Sequence, residues 1–204
     1  MSKNKSIKAD EPQQVSDKET EIILSLAKEC FGEGDFCEFG CYRGDTSLLL
    51  ERLLEQHEPR QFLWIYDSFE GLPPKSREDA SVAGDSFQAG ELLVTKKEVV
   101  ERFKKAGLKI PRIRKGFFDQ LDDGPESRDL PTSIAFAFLD GDLYGSIKIS
   151  LNLVAPRMME HGIIIVHDYN NPQLPGVARA VDEWLAQKIS PTLSVRETLA
   201  IIKL

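Results

Sequence analysis

Two apolar runs constrain the fold more than any other feature of this chain. Ile134-Ala135-Phe136-Ala137-Phe138 and Ile163-Ile164-Ile165-Val166 carry no polar residue at either parity. A strand built from either must therefore be covered on both faces, as a central strand of a parallel sheet is when helices flank it. Around these runs, short apolar segments alternate with amphipathic ones. The spacing predicts a helix from Asp17, capped by Ser16 or Asp17 and ended by Gly32 and Gly34. Strand 35–39, helix 45–57, strand 62–67, helix 96–106 and strand 111–115 follow. Strand 134–139, a helix over 144–160, strand 163–167, a helix over 176–188 and a closing hairpin over 192–204 complete the series. The expected class is α/β: a Rossmann-like, doubly wound, mostly parallel sheet with a C-terminal antiparallel hairpin.

The chain has 204 residues, 41% of them hydrophobic, enough for one sizeable core. One domain over 16–204 is expected, preceded by a polar, aperiodic N-terminal arm over 1–15 that reads as disordered. A net charge of -7 argues against a protein that grips nucleic acid or an anionic membrane. No stretch resembles a signal peptide or reaches membrane-spanning length, so a cytoplasmic protein with a small-molecule partner is expected. Cys30, Cys37 and Cys41 are an odd set of three. Zinc on Cys37, Cys41 and His57 lacks a C-x-x-C pair in support, and buried free thiols are the expectation. The stretch 68–95, rich in Gly and Pro, is too long for an ordinary connection and reads as a lid or binding loop.

In a doubly wound sheet, ligands bind beyond the carboxyl ends of the strands, which directs attention to four segments. After strand 35–39 comes Glu38-Phe39-Gly40-Cys41-Tyr42-Arg43-Gly44-Asp45-Thr46-Ser47. Gly40 and Gly44 permit a tight turn and close backbone approach, and the helix start at Thr46 and Ser47 suits a carboxylate. After strand 62–67, Asp67-Ser68 places an acid where it can accept both hydroxyls of a ribose. Asp140-Gly141-Asp142 follows the strand at 134–139, and His167-Asp168 follows the strand at 163–167. Asp140, Asp168 and His167 offer oxygen and nitrogen donors to a divalent cation, magnesium or a softer metal if the imidazole ligates.

The segments GDFCEFGCYRGDTS, IYDSFEGLP, AGDSF, KGFF, LDGDLYGS and HGIIIVHDY, in this order over about 35–185, resemble the macrocin O-methyltransferase family. DSFEGLP and LDGDLY-x-S are its specific motifs. The resemblance implies the class I methyltransferase version of the Rossmann-like sheet, S-adenosylmethionine as methyl donor, magnesium, and a sugar hydroxyl as acceptor. It implies that Glu38, Gly40, Gly44 and Thr46 line the methionine end of the cofactor, with Tyr42 and Ser47 in the same loop. Asp67, with Ser68 beside it, would hold the ribose, and Gly116 and Phe117 would lie near the adenine. Asp140 and Asp168 would hold the metal, Asp140 also bordering the cofactor. Asp142 is the candidate general base and His167 its rival, or else a third ligand or a partner behind the ligands. His167 departs from the family pattern, which has the first aspartate of an Asp-Asp pair there. The antibiotic enzymes' N-terminal helical segment has no counterpart here, so acceptor pocket and oligomeric contacts do not carry over, and a homo-oligomer stays open. Two other readings compete with this one. A cofactor-binding regulatory module would not need Asp140, Asp142 and Asp168 together, and a nicotinamide-dependent oxidoreductase would need the absent G-x-G-x-x-G.

Overall fold

Ser16 opens the first helix, α1 (Asp17–Glu29), through a capping box: its hydroxyl accepts from the Glu19 amide, and the Glu19 carboxylate accepts from the Ser16 N–H. The computed structural model describes residues 14–58, 60–81, 86–124, 128–188 and 191–203. Residues 1–13 of the expected arm lie outside them. Its last two do not: Gln14 lines a cleft and Val15 is buried in the core.

The order continues as β1 (Asp35–Phe39), α2 (Asp45–His57), β2 (Leu63–Asp67), α3 (Lys96–Ala106), β3 (Arg112–Lys115) and β4 (Ile134–Leu139). It ends with α4 (Tyr144–Val154), β5 (Met158–Val166), α5 (Pro175–Leu185), β6 (Thr192–Arg196) and β7 (Leu199–Lys203). Among the described residues the strands form one seven-stranded sheet in the order β3-β2-β1-β4-β5-β7-β6. β7 pairs antiparallel with β5 on one side and with β6 on the other, which makes the expected hairpin.

The apolar runs are covered on both faces, as their composition requires. Phe136, Phe138, Ile163 and Ile165 point to one side, against Ile23 of α1, Leu50 and Leu54 of α2 and Phe103 of α3. Ala137, Leu139, Ile164 and Val166 point to the other, against Ile147 and Leu151 of α4 and Val177, Val181 and Trp184 of α5. The two-residue alternation thus sorts one sequence run into two cores.

The helix expected over 144–160 is corrected. It stops at Val154, a single 3-10 turn at Ala155–Arg157 contains Pro156, and β5 starts at Met158 rather than 163. Met158 pairs with Ile134, the register then slips, and His161 at φ 65° turns the chain into the buried run. Pairing with β4 overrides the helical preference of the two methionines.

Glu51 carries a cost within this fold. Burial, with the charge of Glu55 adding, pushes its carboxyl up to about 7 from 4.5, against the opposing charge of Lys109. The folded state therefore holds a proton that the unfolded chain gives up, and stability falls as pH rises from 4.5 through about 7. Glu51→Gln should raise stability at pH 8 by about 2 kcal/mol and leave it nearly unchanged at pH 4. Urea unfolding of both proteins across this range checks it; an identical pH slope would sink the assignment.

Candidate active site

The strand order reverses between β1 and β4, and the functional side chains gather at this switch point. Each strand end continues the ladder by one residue. The Gly40 N–H donates to Tyr66 O (2.8 Å), Asp140 N–H to Phe39 O (2.8 Å) and His167 N–H to Leu139 O (3.0 Å). The chemistry-bearing residues are thereby held by the sheet itself.

The glycine loop turns through left-handed conformations at Gly40 (φ 86°), Tyr42 (φ 45°) and Gly44 (φ 79°). Asp67 ties it to β2: Oδ2 accepts from the Cys41 N–H (2.9 Å) and Tyr42 N–H (3.2 Å), and Oδ1 from the Phe69 N–H (2.7 Å). A carboxylate accepts about four hydrogen bonds, so Asp67 both shapes the loop and retains capacity for a ligand. The Ser68 hydroxyl donates to Gly71 O (2.7 Å) and accepts from the Glu70 N–H (3.0 Å), which closes the turn of DSFEG. Gly44 brings no side chain to cap α2, so the first amides of that helix are open to a carboxylate.

A cleft of about 980 Å³, its open mouth included, runs through this region. Its walls include Glu38, Gly40, Tyr42, Thr46, Asp67, Ser68, Phe117, Asp140 and Asp142, as expected for a ligand site at these strand ends. Leu72, Pro73 and Leu92 of the insertion over 68–95 also line it, while four residues of that insertion, 82–85, which include part of AGDSF, lie outside the described residues. The insertion is anchored: buried Asp79 accepts from the Tyr144 N–H (2.7 Å) at the start of α4 and from the Ser76 N–H (2.9 Å). Gly176 makes room for it, since a Cβ there would stand 2.1 Å from Asp79 Oδ1.

Five expected residues do not wall the cleft. Ser47 is the clearest correction: it is fully buried and its hydroxyl donates to Glu38 inside the protein. Gly44 caps α2 behind the wall, and Gly116 (φ 148°) donates its N–H to Asp67 O (3.0 Å) beside it. His167 and Asp168 lie behind Asp140, both buried. Glu38 is buried too. Burial pushes its carboxyl up to about 8; the Ser47 hydroxyl works against this, and the charges of Asp140, Asp67 and Asp45 add to it. It suits a cationic ligand, which would restore the carboxylate.

Asp140, His167 and Asp168 do come together. Their potential ligand atoms lie within 4.8 Å of one another. His167 Nδ1 is 2.8 Å from Asp140 Oδ1 and 3.2 Å from Asp168 Oδ2. Asn171 donates to the other Asp168 oxygen (2.8 Å). Donors at right angles around a magnesium-sized ion stand about 3 Å apart, so these separations fit. Charge fits as well: Glu19, Asp140 and Asp168 surround one imidazole, and a divalent cation would redress the excess of acid. Burial disfavours the imidazolium, but the charge of Asp140 and the hydrogen bonds to Asp140, Asp168 and Glu19 outweigh it and hold the ring protonated far above its ordinary range. Asp142 takes φ 59°, and burial, then the charges of Asp140 and Asp168, hold its carboxyl well above the usual range. By contrast, the three cysteines are buried and free, and His57 stacks on Phe31 (5.5 Å), so the zinc set is not assembled.

Sequence reasoning missed Phe118 and Ser146, both in the cleft wall, and Glu19 behind His167. Phe118 and Ser146 end the KGFF and LDGDLYGS segments, which was their signal, whereas the capping box of Glu19 says nothing of His167.

A doubly wound sheet with this terminal hairpin, a glycine loop and an acid at the end of β2 defines the class I methyltransferase fold. The chain belongs to the macrocin-O-methyltransferase (TylF) family, whose model matches residues 20–198. It is 32% identical over 143 residues, 67% of its length and 53% of the relative's, to 8-demethyl-8-(2,3-dimethoxy-alpha-L-rhamnosyl)-tetracenomycin-C 4'-O-methyltransferase of Streptomyces olivaceus. It is 31% identical over 182 residues, 83% of its length and 66% of the relative's, to demethyldecarbamoylnovobiocin O-methyltransferase of Streptomyces niveus. The chain thus spans between about half and two thirds of these relatives. Among solved structures, the O-methyltransferase NovP superposes with a TM-score of 0.76 at 28% identity, covering 91% of this chain and 79% of that one. The calicheamicin methyltransferase CalS11 has the same fold, with a TM-score of 0.72 at 21% identity over 93% and 80%.

Proposed function

We propose that the protein is an S-adenosylmethionine-dependent O-methyltransferase, acting on a hydroxyl of a sugar or glycosylated small molecule with the help of a divalent cation, magnesium in the first instance. One observation carries the reading: Asp140 belongs both to the cleft wall and to the acid–imidazole cluster, so a methyl donor and a cation-held hydroxyl would meet at one residue. Family membership, two O-methyltransferases among the relatives, one of them named for a rhamnosyl-tetracenomycin C, and a fold neighbour solved with S-adenosylhomocysteine support it. Acidity and three free thiols support a reducing, cytoplasmic setting. No helix among the described residues is long and apolar enough to cross a membrane.

In this reading the cofactor supplies a methyl group on a positively charged sulfur, and the cation favours the deprotonated hydroxyl. Thr46 and the start of α2 hold the amino-acid end, Asp67 the ribose hydroxyls, and Phe117 borders the adenine. Asp142 receives the acceptor's proton. Binding of S-adenosylmethionine by calorimetry, then methyl transfer to a panel of glycosides with magnesium or chelator, tests the proposal. Activity lost in chelator and restored by magnesium or manganese is expected; binding of a nicotinamide dinucleotide in its place would overturn the class of activity, and full turnover in chelator the cation's part. Asp67→Ala should weaken cofactor binding by about 1.5 to 3 kcal/mol. An unchanged affinity in that variant would remove Asp67 from the site.

A further inference from the structure

Glu19 reaches the acid–imidazole cluster from a distant part of the chain. Its Oε2 serves the capping box, accepting from the Ser16 N–H (3.0 Å) and hydroxyl (2.7 Å). Nothing in a capping box requires the second oxygen or the burial, since such glutamates ordinarily stand at a solvated helix end. Here the residue is only 5% exposed. Its Oε1 accepts from the Thr198 hydroxyl and N–H (3.3 Å) in the β6–β7 turn, and lies 3.8 Å from His167 Nε2. A buried carboxylate held from both sides and aimed at one ring nitrogen is an orienting arrangement.

The need for it follows from the residue at 167. An aspartate presents equivalent oxygens, but an imidazole presents two nitrogens, and which one carries the proton decides which can donate to a cation. His167 turns Nδ1 toward Asp140 and Asp168 and Nε2 toward Glu19. A cation held by Nδ1 and the two acids would take the place of the Nδ1 proton and leave the ring's remaining proton on Nε2, the nitrogen that faces Glu19.

We propose that Glu19 is a positioning residue of the cation site, fixing the orientation and tautomer of His167 so that Nδ1 joins Asp140 and Asp168 as a donor. The inference rests on the cation reading above. It extends the site to α1 and to the β6–β7 turn, where Ser16 and Thr198 hold Glu19 in place.

The test uses the full chain with Mn2+ alone, its affinity read by electron paramagnetic resonance, and with diamagnetic Mg2+ alone, in which nitrogen NMR reads the His167 tautomer. Wild type should bind both ions, with Nε2 protonated in the Mg2+ complex. Glu19→Gln should weaken binding by about 10- to 100-fold, the range for residues that orient ligands, and mix the tautomers. Glu19→Asp, which keeps the acid at the helix start but draws it back from His167, should do the same if the glutamine variant does not fold. Thr95→Ala, which removes the equivalent cap of α3 outside the cluster, should lower the melting temperature while changing Mn2+ affinity less than threefold. A folded Glu19→Gln that binds Mn2+ as wild type does, or a Thr95→Ala that weakens it equally, would overturn the positioning role. A wild type that binds S-adenosylmethionine but no Mn2+ would instead overturn the cation reading, and the role of Glu19 with it.

Discussion

Gly40→Ala is expected to abolish cofactor binding and to destabilise the protein by about 3 to 5 kcal/mol, among the largest effects a single substitution has. Gly40 lies at the switch point with φ 86°, and a Cβ built on it would stand 1.9 Å from the Asp140 carbonyl oxygen and 2.8 Å from its carbon. Both are backbone atoms of the neighbouring strand end, so no rotamer change relieves the overlap. Relief must come from moving β1 away from β4, which strains the Asp140-to-Phe39 and Gly40-to-Tyr66 hydrogen bonds and displaces the amides that Asp67 holds. Gly107 is the control. It shares a positive φ of 69°, but an added Cβ meets nothing within 4 Å. Gly107→Ala should therefore cost only about 1 kcal/mol, from backbone conformation alone, and leave the cofactor's affinity intact. Urea unfolding and calorimetry on the pair measure both effects. Equal losses at the two positions would show that conformation, not the contact with Asp140, is what requires glycine at 40.

The residues that fixed the fold were those under one local demand. Helices at 45–57 and 96–106 and strands at 35–39 and 134–139 match their expected bounds, because capping signals, a glycine C-cap at 107 and continuous apolar runs all agreed there. The stretch 155–162 failed because its fate depends on β4: Met158 is a strand residue only when Ile134 is beside it. What was legible is which residues gather at the strand ends: Gly40, Asp67 and Asp140 at the cleft, and His167-Asp168 with Asp140 in the cluster. Ser47 was misread because a hydroxyl near a helix start was matched to a ligand without asking which face it occupies. It lies on the stripe of Leu50, Glu51 and Leu54, all buried, so the helical period alone places it inward. Glu19 was not legible at all as a site residue. Its approach to His167 spans the whole domain and depends on α1 meeting the β6–β7 turn, which no local pattern encodes.

Asp142→Asn is expected to slow methyl transfer by about a hundredfold to ten-thousandfold while leaving cofactor affinity nearly intact, the signature of a lost general base. An alcohol oxygen becomes a far better nucleophile when its proton leaves as the new bond forms, so the base must reach the acceptor. Asp142 lines the cleft, two residues beyond Asp140, and is not one of the three residues whose donor atoms converge in the acid–imidazole cluster. Desolvation and the charges of Asp140 and Asp168 hold a proton on this carboxyl, and a cation bound at those two acids would offset their charge and free the carboxylate to accept the acceptor's proton. His167 has the more familiar chemistry but the wrong position. It is outside the cleft wall, with acids facing both of its ring nitrogens. His167→Asn should therefore act through the cluster, reducing metal affinity, with a loss of rate that excess Mn2+ partly restores. Asp142→Asn should bind metal normally and gain nothing from excess. Single-turnover methyl transfer, with cofactor and Mn2+ affinities measured for each variant, separates the two. Should Asp142→Asn keep its rate while His167→Asn loses it with metal still bound, the base is His167, and the ring must swing from the cluster into the cleft during the reaction.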